Sequence, residues 1–166
     1  MSRLESFISR LQAQKVLLEA AARLINDAGE RLPGPVIELG LGNGRTYDHL
    51  RQILPRRRII AFDRSLDANP RSAPEPDDLI IGEIEVTGPE FGARFGAIAA
   101  LLHADLGNGV PADEVRLQRW LPEIVVQLVR PGALVVTSTE LDHPTLVSQA
   151  LPPDVAPGRY FMYRRD

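Results

Sequence analysis

The sequence contains no cysteine. Disulfide frameworks, thiolate zinc sites and cysteine nucleophiles are thereby excluded. Lys15 is the only lysine, which removes nearly all lysine Schiff-base chemistry. Aromatic residues are scarce at 5%, with Trp120 the single tryptophan. No stretch reaches the roughly 20 uncharged apolar residues that a membrane span requires. The best candidate, residues 16–25, is broken by Glu19 and Arg23. The N-terminus lacks a continuous apolar core followed by a small-residue cleavage site, so a cytoplasmic protein is expected. The formal net charge of −3 argues against a broad nucleic-acid surface.

What is present has ordinary globular composition, 44% hydrophobic and 25% charged over 166 residues. That suits one domain, residues 1–166, large enough for a proper core. Residues 2–28 read as a helix, with Leu4, Phe7, Ile8, Leu11, Leu18, Ala22 and Ile25 at helical spacing and Gly29 as its stop. Five short apolar runs follow, at 36–39, 59–62, 79–81, 97–102 and 134–136. Most are continuous rather than alternating, as in strands buried on both faces of a parallel sheet. Helical patterns at 46–54 and 113–128 separate them. Strands alternating with helices predict an α/β, doubly wound, mostly parallel sheet with helices on both faces. Pro70, Pro74 and Pro76 predict an irregular connection between the second and third strands. The tail predicts a short helix near 145–150, a proline-rich turn at 152–157 and a last strand at 160–164.

The segment carrying chemistry is Val36-Ile37-Glu38-Leu39-Gly40-Leu41-Gly42-Asn43-Gly44-Arg45-Thr46. A buried strand runs into a glycine-rich turn and then a helix. Glycines permit positive φ and let a ligand approach without meeting a Cβ. The helix start aims free N–H groups at that ligand, at the carboxyl ends of the strands. The spacing is not the dinucleotide pattern Gly-x-Gly-x-x-Gly, because position 45 is arginine.

This segment resembles motif I of the class I S-adenosylmethionine-dependent methyltransferases, a strand with an acidic residue followed by Gly-x-Gly-x-Gly. The resemblance extends over residues 34–138 and implies a Rossmann-like fold, to which this sequence adds the N-terminal helix and from which it departs in a shortened C-terminal part. It implies S-adenosyl-L-methionine as cofactor and S-adenosyl-L-homocysteine as product. Gly40, Gly42 and Gly44, with Leu41 and Asn43 between them, would line the methionine part. Asp63, at the tip of the second strand, would hold the ribose, with Arg64 beside the adenine. Gly82, Glu83 and Ile84 resemble the stretch that flanks adenine. Thr46 either binds the cofactor carboxylate or supports the turn. Glu38, set inside the sheet, reads as a buried acid satisfying backbone N–H groups of the loop.

Leu102-His103-Ala104-Asp105 resembles motif IV, where cofactor and acceptor meet. His103, which titrates near neutrality, is the first candidate for a catalytic base and a neighbour of the cofactor. Asp105 is the second candidate and His143 the third. Trp120 reads as packing rather than a stacking platform. Arg56-Arg57-Arg58 falls at the amino end of the sheet and reads as a solvated face. No metal is expected: where metal-dependent relatives carry an Asp-Asn pair after the fifth strand, this sequence reads Thr137-Ser138-Thr139-Glu140, although Asp105 and Asn108 are ligand types.

The expected function is methyl transfer to a small-molecule acceptor, with nucleic acid unlikely as a partner and no membrane association. A thin sheet edge points to a homo-oligomer. Two rivals stand beside this reading. A nicotinamide-nucleotide oxidoreductase would need a glycine at position 45 and a tyrosine–lysine pair, against which Lys15 is badly placed. A non-catalytic cofactor-binding subunit would share the fold and the loop.

Overall fold

The computed structural model describes residues 2–107 and 110–166; Asn108 lies outside the described residues. The chain opens with α1 (Arg3–Ala28). Ser2 and Glu5 form a reciprocal capping box at its start, and Gly29 ends it with φ of +54°. The last four turns of α1 are buried through Leu17, Leu18, Ala21 and Ile25. The first two are not: Leu4 is 67% exposed, and Phe7 and Ile8 are 44% exposed. The apolar face predicted along the whole helix is therefore covered only where α1 packs on the sheet.

Seven strands form one sheet: β1 (Val36–Leu39), β2 (Ile59–Asp63), β3 (Leu79–Ile81), β4 (Ala99–Ala104), β5 (Val129–Thr137), β6 (Leu146–Ser148) and β7 (Phe161–Arg165). Their order is β3-β2-β1-β4-β5-β7-β6. The first five are parallel, and β7 runs antiparallel to both β5 and β6. Every residue of β1 and β4 is buried, as their continuous apolar runs predicted. On one face α1 and α2 (Arg45–Ile53) pack over Val36, Ala61, Leu101 and Val136. On the other, α3 (Ile84–Phe95) and α4 (Pro111–Leu128) cover Ile37, Phe62, Leu102 and Val135.

Three features depart from the sequence reading. The tail has no helix at 145–150; Leu146–Ser148 is the edge strand β6, which borrows its ladder from β7. Helix α3 was not anticipated, because Pro89 and two glycines interrupt its pattern. Gly88 earns its place by close approach, since a Cβ there would lie 2.7 Å from Ile124 Cγ2 of α4. Third, β4 runs on to Ala104 rather than stopping at 102. His103 is thus inside a central strand and not in the loop beyond it. The connection between β2 and β3 is irregular as predicted, built from turns at Pro70–Ser72 and Pro76–Asp78.

Candidate active site

The carboxyl ends of β1, β2, β3 and β4 meet at the glycine turn. Gly40 has φ of +88°, and a Cβ on it would lie 2.8 Å from the Leu106 side chain. The turn therefore requires glycine both by conformation and by contact. Gly44 is the N-cap of α2 in the left-handed region, and the Leu41 side chain is buried in the core beneath α1 and α2. Asp63 braces the turn from the end of β2. One carboxylate oxygen accepts from the Gly42 N–H at 2.7 Å, and the other accepts from the Arg64 N–H at 2.6 Å.

Beside this turn lies a cavity of about 470 Å³. Gly40, Gly42, Asp63, Arg64, Glu83, Ile84 and Asp105, all singled out in the sequence, line it. Glu38, Leu41, Asn43, Gly44, Thr46, Gly82 and His103 do not. Asn43 is exposed, and its backbone carbonyl accepts from Asn69 N–H. Gly82 donates its N–H to the Asp63 carbonyl at 2.9 Å. The far wall comes from α3 and α4: Glu85, Asp113, Arg116, Leu117 and Trp120. The first four escaped the sequence reading, and Trp120 was read as packing alone. The signal was there, since positions 113, 116, 117 and 120 share one face of a helix and include the sole tryptophan. Trp120 is half-buried, packing against the core and facing the cavity as well. Arg116 pairs with Glu85 at 2.6 Å across the rim.

Behind the cavity sits a buried polar cluster. Register places Glu38 opposite His103 on adjacent strands, and both are fully buried. His103 Nδ1 lies 2.8 Å from Glu38 Oε2, while the Thr46 hydroxyl donates to Glu38 Oε1. The acid is thus satisfied by side chains rather than by the backbone N–H groups expected. Thr46 supports the turn through this bond. His103 Nε2 meets the Tyr160 hydroxyl at 2.8 Å. Burial works to lower the His103 pKa, but the Glu38 carboxylate, with help from Asp105, outweighs it and holds the pKa above the usual imidazole value. Burial pushes the Tyr160 phenol well above its usual value, so it remains a neutral hydroxyl.

With no exposed atom and both ring nitrogens engaged, His103 does not reach the cavity. Asp105 does. Arg10 Nη1 of α1 contacts its two oxygens at 2.9 and 2.8 Å, and Gln14 donates to Oδ2 at 3.0 Å. His143 lies away from the cavity, its Nδ1 accepting from Thr145 N–H at 3.2 Å.

Comparison with known proteins agrees with this fold. A family model described as S-adenosyl-L-methionine methyltransferase matches residues 1–165. The chain is similar to a crystal structure of an S-adenosyl-L-methionine methyl transferase from Silicibacter pomeroyi DSS-3, at 41% identity and a TM-score of 0.92, covering 100% of this chain and 99% of that one. It is also similar to a probable spermidine synthase from Corynebacterium glutamicum ATCC 13032, at 15% identity and a TM-score of 0.63, covering 92% and 63% of the two chains. Human methyltransferase-like protein 13 in complex with SAH is 12% identical with a TM-score of 0.59, covering 93% and 81%. The last two share the fold. No curated protein matches.

Proposed function

Because the chain belongs to the S-adenosyl-L-methionine methyltransferase family, and S-adenosyl-L-methionine is therefore its cofactor, we propose that the cofactor lies in the cavity beside the glycine turn and that a small-molecule acceptor meets it at Asp105. The observation carrying this reading is the convergence of Gly40, Gly42, Asp63, Glu83, Ile84 and Asp105 on one cavity. Its volume falls within the ordinary range of small-ligand sites, roughly 300–1,000 Å³. The residues fit the cofactor: the site around a Cβ on Gly42 is open, and the Asp63 carboxylate offers acceptors beside it.

When bound, the cofactor supplies a methyl group already activated on a sulfonium. The chain has to bind, align and keep water out. Gly40 and Gly42 receive the methionine end, and Asp63 accepts hydrogen bonds from the ribose hydroxyls. Arg64 and Glu83 flank the adenine, with Ile84, Leu117 and Trp120 as apolar walls. Asp105 accepts the N–H or O–H hydrogen of the acceptor, orienting its lone pair and receiving the proton it sheds. The role first expected of His103 passes to Asp105, because only the latter faces the cavity. Glu38, Thr46 and His103 act from behind, as positioning residues.

The charge of the cavity favours a small acceptor over a polyanion. Five carboxylates line it, from Asp63, Glu83, Glu85, Asp105 and Asp113, against the guanidinium groups of Arg64 and Arg116 in the wall and of Arg10 on Asp105. Such a wall repels a phosphate backbone. Two measurements test the reading. Calorimetric titration is expected to give micromolar binding of S-adenosylhomocysteine and none of NADH; the reverse overturns the cofactor assignment. With methyl-labelled cofactor in a cell extract, label is expected in the low-mass fraction. Its recovery in nucleic acid overturns the small-molecule acceptor.

A further inference from the structure

Asp105 is one end of a buried chain of polar groups, two of which, Gln14 and Tyr160, have no role in methyl transfer as described above. Glu38 comes from β1, His103 from β4, Gln14 from α1, and Tyr160 from the turn before β7. Glu38, His103 and Tyr160 are fully buried and Gln14 is 6% exposed. Burying so many polar groups is costly unless each is paired. Here each is. The Gln14 amide nitrogen lies 2.9 Å from the Tyr160 oxygen and 3.0 Å from Asp105 Oδ2. Its two hydrogens are thereby both donated. The Asp105 oxygens face Arg10 and Gln14, which are donors, so Asp105 is a pure acceptor, that is, a carboxylate.

His103 closes the other side of the chain, its Nδ1 against Glu38 and its Nε2 against the Tyr160 hydroxyl. An amide does not readily relay protons, so Gln14 interrupts conduction between Tyr160 and Asp105. The chain is suited to holding a group in place rather than to moving a proton.

We propose that Gln14 and Tyr160 are positioning residues for methyl transfer, fixing the Asp105 carboxylate as an anion beside the reacting methyl group. The proposal rests on the placement of Asp105 given above. It predicts an electrostatic preference that can be read without knowing the acceptor. Sinefungin carries an ammonium-bearing carbon in place of the methyl-bearing sulfur, whereas S-adenosylhomocysteine has a neutral thioether there. A fixed anion at Asp105 favours the first ligand through a charge-assisted hydrogen bond.

The experiment is calorimetric titration of both ligands into the intact protein and into Asp105→Asn, Gln14→Leu and Tyr160→Phe. The unaltered protein is expected to bind sinefungin about tenfold more tightly. Asp105→Asn removes that preference. Gln14→Leu and Tyr160→Phe each reduce it about threefold or more, while the affinity for S-adenosylhomocysteine stays within about twofold. Equal weakening of both ligands, or an intact preference, in Gln14→Leu and Tyr160→Phe would make the chain merely structural and overturn the proposal. A preference that survives Asp105→Asn removes its premise. If neither ligand binds the unaltered protein, the cofactor reading fails first, and the two failures are distinct. Should Tyr160→Phe not fold, Gln14→Leu alone decides.

Discussion

Glu38 and Asp63 are acids on neighbouring parallel strands, yet the structure treats them in opposite ways. Asp63 ends β2, is half-buried, and is held by backbone N–H groups of Gly42 and Arg64. Glu38 sits within β1, is fully buried, and is held by the side chains of Thr46 and His103. One acid is positioned by the turn it touches and stays available to a ligand. The other is positioned by residues from distant parts of the chain and is closed to any ligand. The difference sets an acid that lines the cavity apart from one that is sealed in the core, at the same end of one sheet.

The largest effect should come from breaking the closed pair. His103→Leu leaves the Glu38 carboxylate and the Tyr160 hydroxyl without the ring nitrogens that they meet, all in the buried interior. Removing one partner of a buried pair costs about 3–5 kcal/mol. Urea denaturation should show a loss of that order, whereas a loss under about 1 kcal/mol would mean that Glu38 finds other partners. Asp63→Ala should do the reverse. Two charge-assisted bonds to the turn and those proposed to the ribose disappear, so affinity for S-adenosylhomocysteine should fall by about 1.5–3 kcal/mol while stability changes less. A calorimetric affinity unchanged by this substitution would remove Asp63 from the site.

The same contrast governs what could be read from the sequence. The glycine turn and Asp63 were legible because their partners are local: a strand, a tight turn, a helix start and the tip of the next strand. Glu38 was recognised as buried and structural, but its partners were missed. His103 becomes its neighbour only through the pairing of β1 with β4, which are separated by two strands and two helices in the chain. The apolar run ending at Leu102 also placed His103 outside its strand, whereas the ladder continues to Ala104 because His103 trades solvent for Glu38 and Tyr160. Gln14 and Tyr160 carried no local signal at all, being a glutamine on a helix and a tyrosine in a turn. The missing 145–150 helix has a similar origin: Leu146, Val147 and Ser148 become a strand because β7 offers them an unpaired edge.

The protonation of the closed pair sharpens the comparison further. The Glu38 carboxylate raises the pKa of His103 in the folded protein above that of the unfolded chain. The imidazolium is therefore stabilised by folding. Its contribution is complete below about pH 6.5, the ordinary imidazole value, and is lost as pH rises through the higher folded value. Denaturation midpoints should fall as pH is raised above about 6.5 in the unaltered protein. They should fall less in His103→Gln, which cannot titrate. The groups facing the ring are Glu38 from β1, Gln14 from α1 and Tyr160 from the turn before β7, with Asp105 and Arg10 close by. Of these, the tyrosine lies too high to titrate in this range. Identical slopes in the two proteins would assign the pH dependence elsewhere.

The smallest effect belongs to the open side of the same site. Arg116 and Glu85 pair across the cavity rim at 2.6 Å, but their side chains are 69% and 38% exposed. Water screens such a pair, and holding two long side chains in one geometry costs entropy, so it contributes about 0–1 kcal/mol. Arg10 and Asp105 are 2.8 Å apart with exposures of 34% and 18%, and they share a carboxylate with Gln14. Arg116→Ala should therefore change the affinity for S-adenosylhomocysteine by less than about threefold, and added salt should erase the change. A larger, salt-resistant loss would mean that Arg116 meets the ligand directly. The rim of α4 would then belong with Asp63 as part of the binding surface, instead of standing beside it as a solvated wall.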